Sequence, residues 1–227
     1  MHRPSALATA FLTSPRLAVR LVRLYAGLAG YGLAIALLLR SGLGASPWDV
    51  LGQGIALATG MSFGAATIAI SAVVLVLWAP LRERPGWGTL SNAALVGVFA
   101  DLGLSWVPAA SGLALQSLTF AGGLVLLAAA SALYLGAGLG AGPRDGLMTG
   151  LVRRTGWPVW AVRSGIELSV VALGWLLGGT VGVGTAVFAF GIGPLIQVAV
   201  RLFRVDLARP RTTAAPRPER VSGAAAR

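Results

Sequence analysis

Cysteine and lysine are both absent from the 227 residues, and histidine occurs once, at His2. Without thiols there can be no disulfide framework, no thiolate metal site and no cysteine nucleophile. Without lysine no phosphate-cradling Gly-x-x-x-x-Gly-Lys loop exists, and a lone His2 supplies neither a histidine base nor a zinc cluster. Acidic residues are also scarce, seven in all, and no two approach each other in sequence in a metal-binding pattern. The chain is therefore expected not to be an enzyme, and nothing in it calls for a cofactor.

What is present is apolar bulk. Hydrophobic residues make up 56% of the chain and the mean hydropathy is +0.80, against roughly 45–50% apolar residues in soluble domains. A lipid bilayer is the expected partner. All 18 basic residues are arginine, giving a net charge of +11. They are not gathered on one periodic face with interleaved aromatics, as nucleic-acid binding would require, so no nucleic-acid partner is expected.

A helix crossing about 30 Å of hydrocarbon needs roughly 20 apolar residues. Six stretches meet or approach this, at 21–39, 62–81, 87–107, 113–136, 158–177 and 184–203. Arginines cluster before the first span, at Arg82 and Arg84, at Arg153 and Arg154, and from Arg201 onward, whereas the connections near Ala109 and Gly179 carry no charge. The bias of basic residues toward cytoplasmic ends puts both termini of this multi-pass chain in the cytoplasm. Arg40 is the exception, with a stem long enough to snorkel to the outer interface. Residues 1–20 read as a cytoplasmic segment, and 205–227, rich in Pro, Arg, Thr and Ala, as a disordered cytoplasmic tail.

The chain repeats itself. Gly42-Leu43-Gly44-Ala45-Ser46-Pro47-Trp48-Asp49 aligns with Gly138-Leu139-Gly140-Ala141-Gly142-Pro143-Arg144-Asp145 at an offset of 96, and the register holds through Thr59-Gly60 with Thr155-Gly156 and Gly88-Thr89 with Gly184-Thr185. Three spans fall in each copy, 21–107 and 108–204. An odd number turns the second copy upside down relative to the first, the arrangement of many secondary transporters. The expected fold is an all-α membrane protein of about six transmembrane helices in two inverted three-helix repeats, each with a short half-helix after its first span.

The paired Gly-Leu-Gly-Ala-x-Pro-x-Asp elements, Asp145-Gly146-Leu147-Met148, Arg163-Ser164-Gly165-Ile166-Glu167 and the Gly178–Thr185 run resemble the bacterial YczE-type membrane proteins, grouped with YyaS and YitT. The resemblance covers about residues 21–203. It implies a multipass inner-membrane protein and supplies no catalytic residues.

Ser46-Pro47-Trp48-Asp49 reads as a helix start, with Ser as N-cap, Pro at the first helical position and Asp three residues after the cap; Gly142 replaces the cap in the second copy. Both short helices, ending near Ala58 and Arg154, are too short to span. Two readings stand. The motifs are caps at kinks between helices, or they bring two helix N-termini, freed by glycines such as Gly44 and Gly140, to a binding site. Asp49 and Asp145 would already offset those helix dipoles.

Arg163 and Glu167 share a helix face at i and i+4, and their repeat mates are Thr67 and Ser71. Glu167 falls near the bilayer midplane, where an ionised side chain costs roughly 3 kcal/mol or more and by default marks a pathway; a self-neutralising pair that pins helix packing is the alternative. Gln53, one turn after Asp49, and Thr149 complete the candidate binding set of Asp49, Asp145, Arg163, Glu167, Gly44 and Gly140. Asp101 and Gln197 read as water-exposed helix ends, Asn92 as an interhelical hydrogen-bonding amide, and Trp78, Trp87, Trp106 and Trp157 as interfacial anchors. The chain reads as a small-solute transporter or permease with its site between the repeats; the competing class is a membrane accessory protein that stabilises a partner. A homodimer is compatible with either.

Overall fold

The computed structural model describes residues 15–203 and places eight helices there: α1 (Pro15–Ser41), α2 (Pro47–Thr59), α3 (Phe63–Leu81), α4 (Trp87–Trp106), α5 (Leu113–Gly136), α6 (Pro143–Thr155), α7 (Val159–Leu176) and α8 (Val183–Leu202). The described residues contain no strand. α1, α3, α5, α7 and α8 are long and apolar enough to cross a membrane. α4 is the sixth long helix, at 20 residues, and carries Thr89, Ser91, Asn92, Asp101 and Ser105, which makes it more polar. The expected tail over 205–227 and residues 1–14 of the expected N-terminal segment lie outside the described residues. Helix α1 begins at Pro15, earlier than apolarity alone suggests, and Arg20 near its start ties it to the end of α5. Its Nε donates to Ala137 O and its Nη2 to Gly138 O, both at 2.7 Å.

The limits of α2 and α4 recur 96 residues later as those of α6 and α8. The short helices start alike because Pro at the first position leaves no amide unsatisfied there, and they stop alike at Gly60 and Gly156, in left-handed conformation with their N–H groups donating to Ala56 O and Val152 O at 2.9 Å. At 13 residues each measures about 20 Å, short of a bilayer.

Mates α1 and α5 form the centre. Gly27 on α1 lies against the Tyr134 backbone and its mate Gly123 on α5 lies against Leu37 and Leu38; small residues at such points let backbones approach, where lipid supplies no hydrophobic drive between helices. Around them pack Leu24, Leu28, Ile35, Leu38, Leu124, Leu127 and Ala128. α4 lies on α1 and α8 on α5, while each short helix crosses to the other copy, α2 against α7 and α6 against α3. The crossings are locked by matching bonds: Gly88 N donates to Leu139 O and Gly184 N donates to Leu43 O, both at 2.8 Å. Gly44 and Gly140, at φ +122° and +133°, sit where a Cβ would meet Thr185 Oγ1 and Thr89 Oγ1 at 2.6 Å.

Some side chains act differently from what their positions in sequence suggest. Trp78 is buried rather than interfacial, donating from Nε1 to Pro143 O at 3.0 Å and lying over Gly146, whereas Trp87, Trp106 and Trp157 are exposed. Asp101 is no free helix end: Oδ1 accepts from Gly64 N at 2.7 Å, capping α3 from α4. Arg40 donates to Leu104 O at 2.5 Å.

Candidate functional site

A cavity of about 220 Å³ lies between the two copies. It is bounded by the starts of both short helices, Ser46, Pro47 and Trp48 on α2 and Gly142, Pro143, Arg144 and Asp145 on α6, by α3 and α7, and by the long helices α1, α4, α5 and α8. Its lining pairs off across the repeat: Thr67 with Arg163, Ser71 with Glu167, Asn92 with Phe188, Val96 with Ile192.

Of the residues singled out in the sequence, Asp145, Arg163 and Glu167 line the cavity. Asp49 stands just behind it, 2% exposed, accepting from the Ser46 hydroxyl through Oδ2 and facing Arg144 Nη2 through Oδ1 at 3.6 Å. Gly44, Gly140, Gln53 and Thr149 are not in the lining. Gln53 Oε1 instead accepts from Thr180 N at 2.6 Å, tying α2 to the α7–α8 connection, and the Thr149 hydroxyl donates to Gly146 O at 3.1 Å. The Arg163 Nε–Glu167 Oε1 pair is formed at 2.9 Å. Asp145 is exposed to the cavity and has no ion pair among the described residues; its carboxylate accepts from the Gly142 backbone at the helix start.

The sequence reading did not single out Arg144, Tyr31, Tyr134 or Ser131. Arg144 lies over the Trp48 ring at 5.2 Å. Tyr134 is 4% exposed, and its hydroxyl has no hydrogen-bond partner among the described residues. Arg144 and Trp48 are mates, one of two mismatched pairs in the repeated motif beside Ser46 and Gly142, and that mismatch is the signal that could have found both.

Mates around the cavity differ in exposure. Thr67 and Ser71 on α3 are buried, at 3% and 7%, while the Arg163 and Glu167 side chains on α7 are 50% and 27% exposed. The packing agrees: α3 is seated on α4, where a Cβ at Gly97 would come within 2.4 Å of Gly64 O, whereas α7 scarcely touches α8 and a Cβ at Gly193, the mate of Gly97, would meet nothing within 4 Å. Beside the cavity α3 is therefore closed onto α4, whereas α7 stands off α8 with the Arg163 and Glu167 side chains partly exposed.

Long apolar helices packed with two short ones around a cavity with polar lining define a polytopic helical membrane protein. The chain belongs to a family of unknown function, DUF6198, whose model matches residues 18–201. It is 42% identical to an uncharacterized protein of Haemophilus influenzae over 73% of this chain and 76% of that one. Two Bacillus subtilis proteins are also similar: the uncharacterized membrane protein YczE, 34% identical over 78% of this chain and 83% of its own length, and the uncharacterized protein YyaS, 30% identical over 76% and 88%. No solved structure matches the chain.

Proposed function

We propose that the protein is a non-enzymatic permease of the inner membrane that moves a small solute through the cavity between two inverted repeats. The observation that carries this reading is the unequal packing of mates around one polar cavity, α3 closed onto α4 and α7 standing off α8. Two repeats of like sequence can exchange their arrangements, and in an inverted pair that exchange moves the opening from one face of the membrane to the other.

Arginine placement supports cytoplasmic termini. Contacts between connections agree with that topology, since Arg153 pairs with Glu83 at 2.5 Å and Arg20 reaches Gly138, joining segments assigned to the cytoplasm, while Ala110 N donates to Arg40 O at 2.9 Å on the opposite face. Arg163 lies one turn inside α7, which enters from the cytoplasm, so the described state is open inward.

The test is uptake into vesicles reconstituted with the full chain, offered separate pools of labelled organic cations, organic anions, amino acids and inorganic ions, beside Glu167→Gln. A pool that enters faster than into protein-free vesicles, and more slowly with Glu167→Gln, supports the reading. No pool entering faster than in the protein-free control sinks it and leaves the accessory-protein class.

A further inference from the structure

The charges around the cavity narrow the solute class, on the assumption that the permease reading holds. Arg163 is engaged by Glu167 and Arg144 faces Asp49. Three carboxylates thus stand against two guanidiniums, and Asp145, which lines the cavity in the shared field of Arg144 and Arg163, is the one with no direct ion pair among the described residues. The start of α6 offsets about half a charge; the remainder is a net negative charge in a low-dielectric setting, which is costly unless a cation joins it.

A second group converges on the same corner. A Cβ built at Gly142 would lie 3.0 Å from Tyr134 Oη and 3.3 Å from Asp145 Oδ2, so the buried tyrosine hydroxyl, without a hydrogen-bond partner among the described residues, and the Asp145 carboxylate flank one glycine. Both are acceptors, and a primary ammonium carries three donors. The rest of the wall is mixed: Val96, Leu127, Phe188 and Ile192 give it an apolar part, beside the hydroxyls of Thr67, Ser71 and Ser131 and the Asn92 amide, and Tyr31 adds an aromatic ring. An anion would meet the excess carboxylates. A zwitterion would need a guanidinium that is already engaged.

We propose that the cavity binds a small organic monocation, a primary ammonium on an apolar body, with the ammonium held by Asp145 and Tyr134 and the body against Val96, Phe188 and Ile192.

The experiment is titration calorimetry on the full chain in nanodiscs, in an amine-free buffer, with propylammonium chloride, sodium acetate and glycine as probes. Saturable binding of propylammonium alone is expected. Asp145→Asn should weaken it on the order of tenfold or more, the loss of a charge-assisted hydrogen bond, and Tyr134→Phe by a smaller factor. Asp145→Ser, which keeps a capping side chain, guards against a folding defect, and each variant should elute as wild type does. Binding of acetate or glycine in place of propylammonium, wild-type affinity in both Asp145 variants, or no binding of propylammonium overturns the proposal. Uptake of the organic-anion or amino-acid pool in the vesicle assay, slowed by Glu167→Gln, would still uphold the permease reading, so the two failures are distinguishable.

Discussion

Replacing Gly97 with Ala should open the shut side of the cavity. The added Cβ would stand 2.4 Å from Gly64 O and 2.9 Å from Ile68 Cγ1, so α3 and α4 must part by about 1 Å to restore ordinary contact near 3.5 Å. Overpacking of this kind costs roughly 1–3 kcal/mol. The strain is relieved in an arrangement where α3 stands off α4 as α7 stands off α8, so that arrangement gains population by about 5- to 150-fold. At Gly193 nothing lies within 4 Å, and Gly193→Ala brings only the gain in helix propensity, about 1 kcal/mol. Because the chain has no cysteine, Thr67→Cys gives an unambiguous label site, and its rate of modification by a membrane-impermeant maleimide reads the opening. The rate should rise with Gly97→Ala and stay at its starting value with Gly193→Ala. An unchanged rate with Gly97→Ala, or an equal rise in both backgrounds, refutes the reasoning.

Thr89 is buried, donates to Ala141 O at 2.6 Å and accepts from Gly86 N at 3.2 Å; Thr89→Val should cost roughly 1–3 kcal/mol through the two groups left unpaired, read as a lower unfolding midpoint in detergent, while Thr89→Ser stays near wild type. Gly146→Ala would put a Cβ 2.0 Å from Trp78 Cζ2, so its unfolding midpoint should fall as well and recover in Gly146→Ala with Trp78→Leu; a fall that the second change does not reverse would remove the ring as its cause. Met61 and Trp157 are exposed mates in corresponding connections, and Met61→Cys and Trp157→Cys should label from opposite faces of the membrane; labelling from one face defeats the inverted arrangement. Arg163→Thr combined with Glu167→Ser copies the first repeat into the second and should slow labelling of Ile166→Cys by closing α7 toward α8.

The parts of the fold that were readable in the sequence are those fixed by local chemistry. Pro at the first position and Gly just past the last delimit α2 and α6 to within a residue, and the 96-residue register follows from Pro, Asp and Thr-Gly matches that biased composition does not produce by chance. What the sequence hid depends on a partner remote in the chain. Asp101 looks like a helix end until Gly64 N is found beside it, and Trp78 looks interfacial until Pro143 O and Gly146 are. The candidate site was half legible for a related reason. Looking for residues shared by the copies finds Asp49 and Asp145, Gly44 and Gly140; the shared glycines serve backbone crossings, whereas Arg144, Arg163 and Glu167 line the cavity because the copies differ there.

For the permease proposed above, that difference has an energetic consequence. The four charged lining residues, Arg144, Asp145, Arg163 and Glu167, all belong to the second repeat, and their mates are Trp48, Asp49, Thr67 and Ser71. Shutting α3 onto α4 buries two hydroxyls, which can turn to carbonyls on their own helix and lose little. Shutting α7 onto α8 would take an ion pair out of water, at several kcal/mol per ion before the pair's attraction repays part of it. The two shut arrangements of a near-symmetric scaffold are therefore unequal, and the one described, shut at α3 and open at α7, is the cheaper without a ligand. Closure of the other side then needs a further favourable interaction that exists only when the cavity is filled. In the proposed permease a cation at Asp145 supplies one by cancelling the excess negative charge, so the asymmetry that favours the described arrangement would make the exchange of arrangements depend on the solute.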